Sequence, residues 1–203
     1  AEIREWLAGQ SRLSARSLKN FRNTVARFFN WSLEQNYRLD NPAIAKKVPL
    51  PKIDWKPPVI LSVTETKRLL GAALQDERDK VLLPFIVLSA FAGLRTAEIS
   101  RLDWKSVDLG RKLVTIGVDQ AKKRRLRSID LTDNAVAWLR LCKRDGGAVT
   151  PGNFYVRLAA LRQRAGFTDW KEEKSNALRH SFGSYHFALF EDAALTASKL
   201  GHK

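Results

Sequence analysis

Apolar positions recur at helical spacing from Ser17 to Gln35, where Leu18, Phe21, Val25, Phe28, Phe29 and Leu33 form a stripe behind two cap candidates, Ser14 and Ser17. Such a helix needs a partner surface, and Asn41-Pro42 stops it. Ser62-Val63-Thr64-Glu65 has capping-box spacing and is followed by Leu69, Leu70, Ala73 and Leu74, so a second helix begins there. Lys80 to Ala92 is apolar on most sides, which predicts a buried central helix with Pro84 in its first turn and Gly93 at its end. After a short helix over Thr96 to Leu102 the period changes. Leu113, Val114 and Ile116 predict one strand, and Leu126, Ile129 and Leu131 another, with a basic tip between them. Helices are predicted again over Thr132 to Arg144, Asn153 to Ala165, Asn176 to Phe190, and Glu191 to Leu200, the last closed by Gly201. The fold class is mainly α with a small antiparallel β-sheet or hairpin (α+β).

Lys46 to Pro58 (KKVPLPKIDWKPP) is rich in Pro and Lys and has no sustained period, the composition of a semi-rigid linker. It divides a helical segment, 1–45, from a larger domain, 60–203, with 46–59 between them. The longest apolar run, Val81 to Leu94, is too short to span a bilayer and is interrupted by Pro84 and Ser89. The N-terminus has no signal-peptide block. The start at Ala1 and the absence of Met read as a piece of a longer chain.

Composition narrows the partner. With 44% apolar residues the 203-residue chain can bury a core, and 36 Lys and Arg against 21 Asp and Glu leave a net charge of +15. That excess is typical of proteins that meet a polyanion, so nucleic acid is the leading partner; charge serving only solubility is the alternative. Cys142 is the only cysteine, which excludes an intrachain disulfide and a cysteine-based metal cluster and fits a reducing compartment. His180, His186 and His202 lack the HExxH spacing, and there is neither an EF-hand nor a glycine-rich phosphate loop. No metal and no cofactor is expected.

Four stretches could carry chemistry. AGLRTAEISRLDW, Ala92 to Trp104, sets Arg95 and Glu98 one turn apart beside an apolar helix, as an anion-gripping pair or as an ordinary surface ion pair. QAKKRRLRSIDL, Gln120 to Leu131, crowds Lys122, Lys123, Arg124, Arg125 and Arg127 onto the hairpin turn and its outgoing strand. Such a hairpin can follow DNA phosphates; a solvated charge run or a localisation-like patch would look the same. NALRHSFGSYHFALF, Asn176 to Phe190, opens on Asn176, Arg179 and His180, and LGHK ends on His202 and Lys203.

Taken in order, GLRxxEIxxLxW, a Lys-bearing hairpin, LRHSF opening a helix and a later LGH resemble the catalytic domain of tyrosine recombinases, the phage integrase family. The resemblance runs from about Leu61 to Lys203. FFNWSLEQNYRLDNPA, Phe28 to Ala43, looks like the end of that family's helical core-binding domain, which makes 1–45 its C-terminal part and 60–203 a tyrosine-recombinase-like catalytic domain. The resemblance implies site-specific DNA recombination or integration. A tyrosine attacks a DNA phosphodiester, leaving a 3′-phosphotyrosyl link and a free 5′-hydroxyl, with no metal or nucleotide cofactor.

By motif match Arg95 and Arg179 are the phosphate clamps, and Glu98 orients neighbouring cations. Lys122 is the general acid, with Lys123 as second choice, and His202 bonds a non-bridging oxygen. Lys123, Arg124, Arg125, Arg127 and His180 are expected to contact double-stranded DNA. Asn176 stands where the family has His or Lys. An amide can donate to a phosphate oxygen but cannot trade protons, so a weaker catalytic role and a plain helix cap both remain open. Tyr37, Tyr155 and Tyr185 do not match the nucleophile, Tyr185 reading as core packing. The nucleophile is expected beyond Lys203, and the chain shown is expected to bind DNA without cleaving it. The resemblance further implies a homo-tetramer on paired DNA sites for the full-length protein, a monomer for this stretch, and a cytoplasmic, nucleoid-associated protein of a bacterium, phage or mobile element. The alternative is a non-catalytic DNA-binding relative. An RNA-binding module is less favoured, because neither aromatic-rich strands nor a GXXG loop is visible.

Overall fold

The computed structural model describes residues 2–50, 52–53, 56–117, 126–170 and 176–201. They fall into two compact units, Ala1–Pro57 and Pro58–Lys203.

In the first unit, helix α1 (Glu2–Ala8) precedes α2 (Ala15–Glu34). Ser14 caps α2, its hydroxyl accepting the Ser17 N–H at 3.1 Å. The Asn41-Pro42 stop folds back on the helix, because the Asn41 amide donates to the Ala26 carbonyl at 2.9 Å and its oxygen accepts the Ala43 N–H at 2.8 Å. Ala43 and Val48 are buried, and Arg22 donates to the Val48 carbonyl, so part of the Lys- and Pro-rich stretch packs within this unit. The apolar stripe that predicts α2 is covered only in part: Leu18, Val25, Phe29 and Leu33 are half-buried, while Phe28 is 58% exposed and Phe21 45%.

The second unit is built around one helix. α3 (Val63–Gln75) starts from a complete capping box, Ser62 accepting the Glu65 N–H and Glu65 accepting the Ser62 N–H. A single 3₁₀ turn (Lys80–Leu82) leads into α4 (Leu83–Ala92), where Pro84 sits in the first turn and every residue but Phe91 is buried. α4 ends at Gly93, whose φ of 64° is left-handed; a Cβ there would lie 2.4 Å from Cδ1 of Phe182. Only glycine fits that reversal.

α5 (Thr96–Ile99) is shorter than its apolar pattern suggests. Three antiparallel strands follow in the order β1 (Val107–Asp108), β2 (Leu113–Ile116) and β3 (Arg127–Asp130), with Val114 opposite both Val107 and Ile129. α6 (Asp133–Arg140), α7 (Phe154–Arg164), α8 (Ala177–Phe190) and α9 (Ala193–Lys199) complete the unit. α6 and α8 pack against α4, and the core gathers Leu61, Leu69, Leu88, Ile99, Trp104, Ile116 and Leu139. α6 stops at Arg140, four residues before the predicted end. There the chain turns, and the Lys143 ammonium donates to the Trp104 and Val107 carbonyls. The sheet and helices make the α+β class plain.

Candidate active site

The C-terminal ends of α4 and α9 meet beside the first turn of α8 and the start of β3. Helix ends leave carbonyls without intrahelical partners. Here guanidinium groups take them up. Arg179, on α8 and only 8% exposed, donates to the Gly93 carbonyl and, at 2.6 Å, to that of Leu200. Arg95 donates to the Gly201 carbonyl at 3.3 Å, and Arg127 to that of Lys199 at 3.3 Å.

Glu98, 2% exposed, is the counter-charge. Its Oε1 accepts from Arg95 Nη1 at 3.0 Å; its Oε2 accepts the Arg95 backbone N–H and Arg127 Nη2, both at 2.8 Å. With Glu98 buried and Arg95 half-buried, the pair is a fixture of the α5 N-terminus, and the surface-pair alternative is set aside. Both carboxylate oxygens are occupied by cations, which leaves Glu98 an anchor for them.

Burial, then the neighbouring charges of Arg95 and Arg127, pushes Arg179 down to about 10, while Glu98 acts in the other direction. Arg179 stays charged at neutral pH. Among the described residues three guanidinium groups thus gather near one carboxylate in a partly buried place, leaving an excess of positive charge. A guanidinium carries five donors in a planar fork, so Arg95 has N–H groups beyond its bonds to Glu98 and Gly201. The arrangement can hold a phosphate-like anion and stabilise added negative charge.

Of the predicted site residues, Arg95, Glu98 and Arg179 come together. Arg127 joins them. Placed by the sequence among the cations of the hairpin tip, it is turned inward onto Glu98, with a side chain only 19% exposed. Period-2 alternation carries the signal, because Arg127 shares a strand face with buried Ile129 while Ser128 and Asp130 face outward. Asn176 is at the N-cap of α8, exposed, and its side chain makes no capping hydrogen bond. His180 is half-buried, and burial lowers its pKa. Tyr185 is a correction: it is 45% exposed, with its hydroxyl donating to the Leu61 carbonyl, because α8 has only one face on the core. Lys122, Lys123, Arg124, Arg125 and His202 lie outside the described residues. No group of His, Cys, Asp and Glu among the described residues could hold a metal ion.

The phage integrase family model matches residues 60–203. The tyrosine recombinase XerC of Xanthomonas axonopodis pv. citri is 29% identical over 221 aligned positions, covering 100% of this chain and 69% of that protein. XerC of Escherichia coli O1:K1 is 30% identical over 207 positions, covering 94% and 67%. The chain thus spans about two thirds of the length of such curated relatives, 66% of one from Xanthomonas campestris. Among solved structures, the Tn1549 transposon integrase in complex with transposon right end DNA superposes with a TM-score of 0.79 at 17% identity, covering 98% of this chain and 76% of that one. The XerH site-specific recombinase bound to palindromic difH substrate gives 0.74 at 22%, covering 99% and 65%. These two likenesses speak to the fold.

Proposed function

The chain belongs to the phage integrase family, and from that premise we infer that it serves site-specific DNA recombination, breaking and rejoining strands through a 3′-phosphotyrosyl intermediate. The observation that carries this reading is the cluster of Arg95, Arg127 and Arg179 around buried Glu98. Attack on a phosphodiester adds negative charge to the non-bridging oxygens, and fixed positive charge lowers the energy of that state more than that of the resting diester. Arg95 and Arg179 are the clamps in this reading. Glu98 holds Arg95 and Arg127 in place, Lys122 protonates the leaving 5′-oxygen, and His202 donates to a non-bridging oxygen. Lys123, Arg124 and Arg125 follow the duplex backbone.

Asn176 is the departure, since its amide can donate but not exchange a proton. None of Tyr37, Tyr155 and Tyr185 belongs to the arginine cluster, Tyr185 being bonded to Leu61, and the attacking tyrosine is assigned downstream of the Leu200-Gly201-His202 motif. The partner is double-stranded DNA, engaged by a homo-tetramer on paired sites. Among the described residues no helix is long and apolar enough to cross a membrane, and the place of action proposed is the nucleoid of a bacterial cytoplasm.

Incubating the full-length protein with a duplex nicked within its recombination site tests the reading. A covalent adduct that survives denaturation and ends in a 3′-phosphotyrosine is expected. DNA binding without any adduct would overturn the catalytic reading in favour of a non-catalytic relative.

A further inference from the structure

The helix that carries Arg179 is also tied to the chain at the point where the second unit begins. Leu61 has its backbone N–H donated to Oγ of Ser181 at 2.8 Å and its carbonyl bonded by the Tyr185 hydroxyl at 3.1 Å. Its side chain is buried. Ser181 is itself 3% exposed and held in one rotamer, because the same hydroxyl donates to the Ala177 carbonyl at 2.8 Å. Two residues earlier, the Val59 backbone lies beside His180. Both backbone polar groups of Leu61 therefore end on α8.

We infer that Ser181 and Tyr185 are positioning residues that make the path of the chain at Leu61 set the placement of the Arg179 guanidinium. The inference rests on the function proposed above for Arg179. Its geometry comes from helix periodicity: Ser181 and Tyr185 lie one turn apart on one face, and Arg179, two residues before Ser181, leaves α8 about 200° around the axis. The helix body stands between clamp and guanidinium and passes movement from one to the other. Rotating it by about 10° moves a group about 6 Å from the axis by about 1 Å. A displacement of that size far from the chemistry can cost about 100-fold in rate.

Two variants of the full-length protein test this. Tyr185→Phe keeps the ring of a half-exposed residue, and Ser181→Ala removes the hydroxyl that accepts the Leu61 N–H. Each is expected to slow single-turnover cleavage of saturating nicked DNA about 10-fold, with the DNA Kd within twofold of the parent. Hydrogen exchange is expected to quicken at 59–63 and also at 93–95 and 199–201, the segments whose carbonyls Arg179 and its neighbours hold. Exchange that quickens only at 59–63 overturns the inference whatever the cleavage rate, and so does an unchanged rate with both regions loosened. If the parent protein forms no adduct, the proposed function fails by that result alone, and the exchange pattern still decides whether the clamp reaches Arg179.

Discussion

Replacing Glu98 by Gln removes the carboxylate on which Arg95 and Arg127 are organised. The carboxylate accepts three hydrogen bonds, at 2.8, 3.0 and 2.8 Å, from Arg95 and Arg127, and is almost wholly buried. Glutamine supplies one acceptor oxygen, and its amide turns donor hydrogens toward a guanidinium. Breaking a buried ion pair by losing one partner costs about 3–5 kcal/mol. Arg95 is 31% exposed and Arg127 19%, so water recovers part of their solvation and the lower figure, about 3 kcal/mol, applies. At about 2–4 °C per kcal/mol, Tm should fall by about 6–12 °C. The same change leaves three guanidiniums with no carboxylate between them among the described residues, which makes the place a stronger anion site. Thermal unfolding followed by circular dichroism, with sulfate titrated at constant ionic strength, reads both effects, since an ion that binds the folded state raises Tm with its concentration. Sulfate should stabilise Glu98→Gln more than the parent. A Tm loss under about 2 °C, or equal stabilisation of the two proteins by sulfate, would refute the role given to Glu98.

Gly93→Ala forces a residue with a Cβ into a φ of 64° and sets that atom against Phe182 and Leu200, so a loss of at least about 1–3 kcal/mol in urea unfolding is expected, together with slower DNA cleavage because the Gly93 carbonyl holds Arg179. Burial lowers the pKa of both His180 and His186 below 6.5, so the folded state binds fewer protons than the unfolded one; Tm should be level above that pH and fall as pH drops below it, and a Tm that rises on acidification would contradict the assignment. The Cys142 thiol is pushed up to about 11 by its surroundings, chiefly burial, and should react with a thiol-specific reagent at pH 8 far more slowly in the native protein than in urea, where native reaction at the unfolded rate would be the contrary result.

The elements that the sequence foretold well are those with a local cause. The Ser62–Glu65 capping box, the all-round apolar run of α4 and the left-handed Gly93 each act through neighbours in the chain, and each stands where its pattern puts it. β1 could not be read, because two residues show no period. The uneven parts of the site have a different origin. Arg95, Glu98 and Arg179 were legible from motif order. Their acceptors were not: the carbonyls of Gly93, Lys199, Leu200 and Gly201 belong to the backbone, which carries no residue identity. Arg127 was legible in part. Its place in a run of cations suggested the hairpin tip, while its parity with Ile129 pointed inward, and parity prevailed because a strand cannot turn one side chain to the other face without turning them all.

Gathering three guanidinium groups costs free energy through repulsion and lost hydration, and the cost is visible in the lowering of Arg179 to about 10. A fold built only for stability would place Leu or Met where Arg179 stands, against Gly93 and Leu200. Glu98 and the helix-end carbonyls offset the cost of holding these cations without removing their charge, since carbonyls are neutral and, among the described residues, one carboxylate balances one guanidinium of three. The residual charge is therefore fixed in direction before any anion arrives. An anion entering the cluster meets donors already aimed and already stripped of much of their water, so little reorganisation remains when its charge grows. That is the condition under which a phosphodiester is more strongly held in its transition state than at rest. It also explains why the cations come from three separate elements packed on one core, Arg95 at the N-terminus of α5, Arg127 on β3 and Arg179 on α8: each fixes one direction of approach.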